Sequence, residues 1–207
     1  MVTAEGVRGS GRAGVAASPG PEARVLDAAT TCIARWGVSK TTLDDVAREA
    51  GVSRATVYRL FPGGKSALLT ACGAAEVSRL LLGLTVQIEA ARSLERLLVD
   101  LIGGAARFIA GNDAIQMLLR HEPDVLLPFV AFDRQGPLLE GAVAFLAPHL
   151  ERFVDRRTAC ETVEWVARLV ISYTFTPAAT IDLCDEVDVR RLVTNQLMPG
   201  IALASAP

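Results

Sequence analysis

The chain has 207 residues with 21 Lys/Arg against 23 Asp/Glu, a length suited to one or two domains with a substantial core. Half of the residues are apolar, yet aromatics are few and Ala, Leu and Val dominate, a composition that favours packed helices and gives no strand-like alternation. The near balance of charge hides a division: residues 1–65 carry nine basic and six acidic side chains, residues 66–207 twelve and 17, so a basic head precedes an acidic body.

Residues 1–19 are rich in Gly, Ala and Ser without periodicity and read as a flexible tail, with no apolar core of a signal peptide. Arg8 and Arg12 in it are either solvated charges or a basic arm. Pro21 to Trp36 places Val25, Leu26, Ala29, Ile33 and Trp36 on one helical face. Next come Thr41 and Thr42, the second a natural cap for a helix beginning near Leu43. From Thr42 to Phe61 the pattern predicts two short helices around a tight turn. Val46, Ala50, Val52, Val57 and Leu60 clamp the pair, Ala47 sits at their crossing, Gly51 makes the turn and Ser53 caps the second helix. This is a helix-turn-helix, in which the second helix enters the DNA major groove. An ordinary helical hairpin satisfies the same packing, but the outer face carries Arg54, Thr56, Tyr58 and Arg59.

Flanked by an aromatic-Gly helix end, Thr41-Thr42-Leu43 and Tyr58-Arg59-Leu60-Phe61-Pro62 with Lys65 opening a long helix, the segment Arg24 to Leu69 resembles the N-terminal domain of the tetracycline-repressor (TetR) family. The resemblance implies an all-α fold, a dimeric transcriptional regulator on double-stranded operator DNA, and usually a repressor released by a small ligand. The expected organisation is a tail at 1–19, a helix-turn-helix domain at 20–66 and a helical effector-binding and dimerisation domain at 67–207. Thr41 and Thr42 are then expected to meet a phosphate at a helix N-terminus. Ser53, Arg54 and Thr56 are expected to approach base edges or the nearby backbone. Tyr58 and Lys65 resemble the family's phosphate contacts, and Arg59 suits either role. Tyr58 also fits a half-buried aromatic.

Gly63-Gly64-Lys65-Ser66 imitates the end of a phosphate-binding loop, but the first glycine of that motif falls on Arg59 and the preceding segment is helical. With His121 and His149 as the only histidines and no nucleophile motif, catalytic residues, metal ligands and cofactors are not expected. A helical ligand-binding protein without DNA-regulatory activity is the remaining alternative. Cys32, Cys72, Cys160 and Cys184 are scattered, with reduced thiols expected at Cys32 and Cys72. Charges interrupt each apolar run before the ~18 residues of a membrane span, so a cytoplasmic chain is expected.

Further helices are predicted at 64–88, 93–111, 113–120, 123–132, 137–153, 157–176 and 186–203, broken by Gly111-Asn112, Pro123, Gly136-Pro137 and Pro177. By the resemblance, the last two form the homodimer as an intersubunit four-helix bundle through Val163, Val166, Ala167, Val170 and Ile171 and through Val187, Leu192, Val193, Gln196, Leu197 and Ile201. The large side chains of the middle helices, Phe108, Met117, His121, Phe129, Phe132, Phe145, Trp165 and Tyr173, either fill a core or line a pocket for a small hydrophobic effector, with Arg120, His121, Glu122 and Tyr173 as polar fixtures.

Overall fold

The computed structural model describes residues 20–130 and 135–204, and all regular structure among them is helical. The expected tail, with Arg8 and Arg12, and Phe132 lie outside the described residues, as does the side chain of Phe129. Helices α1 (Pro21–Lys40), α2 (Leu43–Glu49), α3 (Arg54–Leu60) and α4 (Gly64–Ala90) open the chain. They are followed by α5 (Leu94–Ala110), α6 (Asp113–His121), α7 (Pro123–Val130), α8 (Gln135–Leu150) and α9 (Arg156–Phe175). The final helical run comprises α10 (Glu186–Leu192), a π-helical turn at Val193–Leu197 and α11 (Met198–Ala204). The single helix expected at 186–203 is thus widened in its middle. Pro199, which has no N–H for the carbonyl four residues earlier, follows that turn.

Caps set most boundaries. Ser93 accepts from the Arg96 amide, Asn112 from Ile115, Asp155 from Thr158, and Asp185 from Val187 and Asp188. Folding therefore lowers the Asp155 pKa, first through the Thr158 hydroxyl and then its amide.

Three apolar cores result. In the head, Val25, Ala29 and Cys32 of α1 meet Val46, Ala47 and Ala50, Val57, Phe61, and Leu68 and Cys72 on the first turns of α4. The boundary expected at residue 66 accordingly falls inside a continuous helix. The body is built around α5, buried on nearly every side through Leu97, Leu98, Leu101 and Ile102, with α4, α6, α9 and the last helical run packed around it and α8 packed against α9. A smaller third core joins Ile33 and Val38 of α1 to Ala114 and Leu118 of α6, so α6 sits on the head as well as the body. Trp36 is exposed instead of continuing the α1 face, because the chain breaks at Gly37 and Val38 takes the inward place.

The α9 and α10 stripes also depart from expectation. Val163, Val166 and Val170, together with Val189, Leu192, Val193 and Leu197, are buried within this one chain. Val187 of the expected stripe does point outward, at 73% exposure, as do Trp165 and Leu203 outside it, at 51% and 79%. Helix α4 is long and apolar enough to cross a membrane by length and composition, with mean hydropathy 1.5 over its most apolar window. Glu76 and Arg79 within it are, however, engaged with α1 and with Asn112 at the start of α6.

Truncating Leu98 or Ile102 to Ala, both fully buried, should lower stability by ~2–5 kcal/mol, read from denaturant midpoints at constant slope.

Candidate nucleic-acid interface

The geometry of α2 and α3 follows from local hydrogen bonding. Thr42 accepts from the Asp45 amide at 3.2 Å, and the Asp45 carboxylate accepts from the Thr42 amide at 3.1 Å, a reciprocal capping box. At the other end of α2 the Val52 amide donates to the Ala47 carbonyl and the Gly51 amide to Arg48. Gly51, at φ +64°, holds the left-handed position this Schellman arrangement requires. Ser53 then caps α3 by accepting from the Thr56 amide at 3.1 Å, and the two hydroxyls lie 2.9 Å apart. Of the expected clamp, Val46, Ala50 and Val57 are buried and Val52 and Leu60 are packed against them.

The outer face of this pair presents Ser53, Arg54, Tyr58 and Arg59 to solvent, with Thr56 half-buried. The Arg54 guanidinium donates to Asp44 at 3.0 Å and to the Tyr58 hydroxyl at 3.3 Å, and lies 5.4 Å from the centre of the Tyr58 ring. The Tyr58 hydroxyl and then the Asp44 charge hold Arg54 firmly protonated. Asp44 went unnoticed in the sequence because nothing local marks a residue ten positions upstream as the partner of Arg54. Arg59 has no ion-pair partner among the described residues, leaving its charge available to a polyanion.

One expected contact changes role and a second is held by a bond within the chain. Thr41 is buried at 5% exposure and its hydroxyl donates to the Gly37 carbonyl at 2.6 Å, so it stabilises the end of α1 and is withdrawn from any phosphate. Lys65 Nζ donates to the Val38 carbonyl at 2.5 Å, tying the start of α4 to the end of α1. Thr42 remains exposed, but Asp44 and Asp45 in the first turn already balance the positive end of α2.

The capping box carries a pH signature. The Thr42 hydroxyl, then its amide, holds the Asp45 carboxyl below its ordinary value. Its stabilisation is therefore present above the ordinary carboxylate range and lost as pH falls through the lowered value. Thermal melts of wild type and Asp45→Asn should differ at neutral pH and converge in acid.

Among the described residues, the side chains expected around an effector are divided between the body core and the surface. Phe145 and Tyr173 are half-buried against the body core, and Phe108 and Met117 are half-buried on α5 and α6. Trp165 and His121 lie on the surface, because the helical phase that buries Val163 and Val166 turns position 165 outward. Glu122 points to the head instead of a pocket, accepting from the Val38 amide at 2.6 Å. One cavity of about 340 Å³ lies between α8 and α9, lined by Val143, Ala147, Pro148, Glu151, Arg156 and Cys160, none of them an expected effector residue.

Residues 25–72 match the bacterial regulatory proteins, tetR family. An uncharacterised HTH-type transcriptional regulator of Mycobacterium tuberculosis is 30% identical over 187 residues, covering 88% of this chain and 86% of the relative. A second uncharacterised HTH-type regulator of M. tuberculosis is 51% identical over 43 residues, only 21% of this chain and 23% of that relative's length. Among solved structures, the TetR family repressor AlkX from a Dietzia strain, implicated in biodegradation of n-alkanes, superposes with TM-score 0.69 at 24% identity, covering 89% of this chain and 96% of AlkX. The match to the second M. tuberculosis regulator is confined to a short stretch, while the first runs through most of the chain, body included. With the capped helix pair and its basic outer face, these likenesses make the chain a DNA-binding transcriptional regulator rather than an enzyme, and it belongs to the tetR family of bacterial regulatory proteins.

Proposed function

We propose that the chain is a cytoplasmic, ligand-responsive repressor that binds a pseudo-palindromic operator as a homodimer and is released by a small hydrophobic effector. The observation that carries the DNA part is the rigidly capped α3, with Arg54 held ready by Asp44 and Tyr58 and with Arg59 free of ion pairs among the described residues. In this reading Ser53, Arg54 and Thr56 meet base edges or the nearby backbone. Tyr58, Thr42 and Lys65 position the helix on phosphates, and Arg59 does either. One recognition helix reads only a few base pairs, so two must be presented together.

Residues 20–66 act as the head and 67–207 as the effector and dimer body, with α6 as the shared contact. The dimer face is assigned to the exposed apolar side chains Trp165 on α9, Val187 on α10 and Leu203 on α11. Exposed large apolar residues are individually ordinary, but three on the elements expected to pair favour a subunit contact. The effector is assigned to the middle of the body, near Phe108, Met117, Phe145 and Tyr173. An apolar interior with few polar groups suits alkanes, fatty-acyl compounds or lipophilic drugs as the ligand, and AlkX, of the same fold, is a repressor implicated in n-alkane biodegradation.

The test is fluorescence anisotropy on a duplex that the wild-type chain selects from a random-sequence pool, followed by titration with acyl-coenzyme A thioesters, free fatty acids and alkanes. Selection of a two-fold-symmetric site, and release by a hydrophobic compound, are expected. Selection of no sequence at all rejects the regulator reading. Response only to small polar metabolites rejects the hydrophobic effector while leaving DNA binding in place.

A further inference from the structure

Helix α1 breaks at Gly37, with φ +78° and ψ 171°, before a last short turn that ends at Lys40. A helical turn that starts afresh leaves its first N–H groups without carbonyl partners. Here those amides belong to Val38 and Ser39, and no side chain nearby in sequence accepts them. The acceptor is Glu122, 84 positions away at the junction of α6 and α7. It receives Val38 N–H at 2.6 Å and Ser39 N–H at 3.1 and 3.2 Å on its two oxygens.

The fit is close. A Cβ on Gly37 would stand 2.8–3.0 Å from the Glu122 carboxylate, so position 37 must lack a side chain for this contact as well as for its backbone conformation. At the C-terminal end of α6 the Glu122 carboxylate opposes that helix's dipole, although it also directly precedes the N-terminus of α7. Its oxygens are taken up by the free N-terminal end of the restarted turn in α1. Burial by itself raises the Glu122 pKa, but the Ser39 and Val38 hydrogen bonds and the Lys65 charge bring it below the ordinary value. The Val38 peptide is gripped on its other side as well, its carbonyl accepting from Lys65 Nζ and from the Thr41 amide. Thr42, the cap of α2, follows at once.

Both ends of α6 are tied in this manner. At its start Asn112 caps the helix and donates to Glu76 of α4 at 2.7 Å, and Glu76 in turn accepts from Thr30 of α1. We infer that Glu122 is a positioning residue for operator binding: it caps the α1 turn from the effector body and so fixes the orientation of the helix-turn-helix. The inference rests on the regulator reading above and adds to it the residue through which the body holds the head.

The charge gives the test its sign. Deleting a carboxylate from a DNA-binding protein strengthens binding to any duplex by simple electrostatics. A positioning role predicts the opposite for the selected duplex. Glu122→Ala should bind that duplex roughly tenfold more weakly, within the usual range of coupling between sites, while random duplex binds as well as before or better. Glu122→Gln, which keeps an acceptor oxygen, should fall between Ala and wild type. In the DNA-free protein, hydrogen exchange at the Val38 and Ser39 amides should accelerate in the Ala variant, with exchange in the α5 core unchanged. Should Glu122→Ala unfold, the Gln variant decides by the same two readings. Wild-type affinity for the selected duplex in the variants, or unaltered exchange at the two amides, overturns the inference. Failure of the wild-type chain to select any duplex instead overturns the regulator reading, and amide exchange still decides whether Glu122 is the cap.

Discussion

Binding of the selected duplex should weaken by roughly a thousandfold as salt rises from about 50 to about 200 mM, if a dimer neutralises ~6 phosphates. The estimate follows from three basic side chains at each head, Arg54, Arg59 and Lys65, displacing condensed counterions. A log–log plot of anisotropy-derived affinity against salt gives the slope directly. Arg59→Ala should reduce that slope, since its charge has no ion-pair partner among the described residues. Arg54→Ala should both weaken binding and relax preference at one position of each half-site, by ~1–3 kcal/mol. Asp44→Ala offers a contrast, because it frees Arg54 from its ion pair while also removing a negative charge from the DNA-facing side. Lys65→Ala should weaken all sequences alike. A salt-independent affinity, or a Lys65 variant that alters sequence preference while the Arg54 variant does not, would reverse these assignments.

Placing Asp at Val170 or Leu197 should unfold the body, and not merely separate subunits. Both side chains are buried against the α5 core of a single chain. An uncompensated charge there costs about 3–5 kcal/mol, against a total stability of about 5–15 kcal/mol for a typical domain. Circular dichroism should show the loss of helix or a much lowered melting temperature. Charge at the exposed positions should behave differently. Trp165→Glu combined with Val187→Glu leaves the core untouched and should give folded monomers by sedimentation, with weakened operator binding because paired recognition helices are lost. A folded monomer from Val170→Asp would place the subunit contact through the inner stripe, and a folded dimer from the surface pair would move it elsewhere.

These two experiments divide along what was legible in the chain. Helix positions were readable because short-range chemistry sets them: Thr42 and Ser53 cap, Gly51 takes a left-handed turn, and Gly111-Asn112 breaks the chain before α6. The helix-turn-helix and its outward Arg54, Tyr58 and Arg59 were equally readable, since clamp and face lie within twenty residues and helical periodicity separates them. Periodicity says that a stripe is buried, but not by what. Val163, Val166 and Val170 were therefore consistent with a subunit interface until α5 was seen to cover them. The turning inward of Thr41, the exposure of Trp165 and the capture of Arg54 by Asp44 depend on the angles at which helices meet. Glu122 shows the limit most sharply. Its partners are two amides some 80 residues away, and backbone N–H groups leave no mark in a sequence. Local hydrogen bonding and helical phase are written in neighbouring residues, and so the sequence by itself determined the DNA-binding head. The joint between head and body was decided only by the tertiary structure, because packing alone brings the end of α1 against the end of α6.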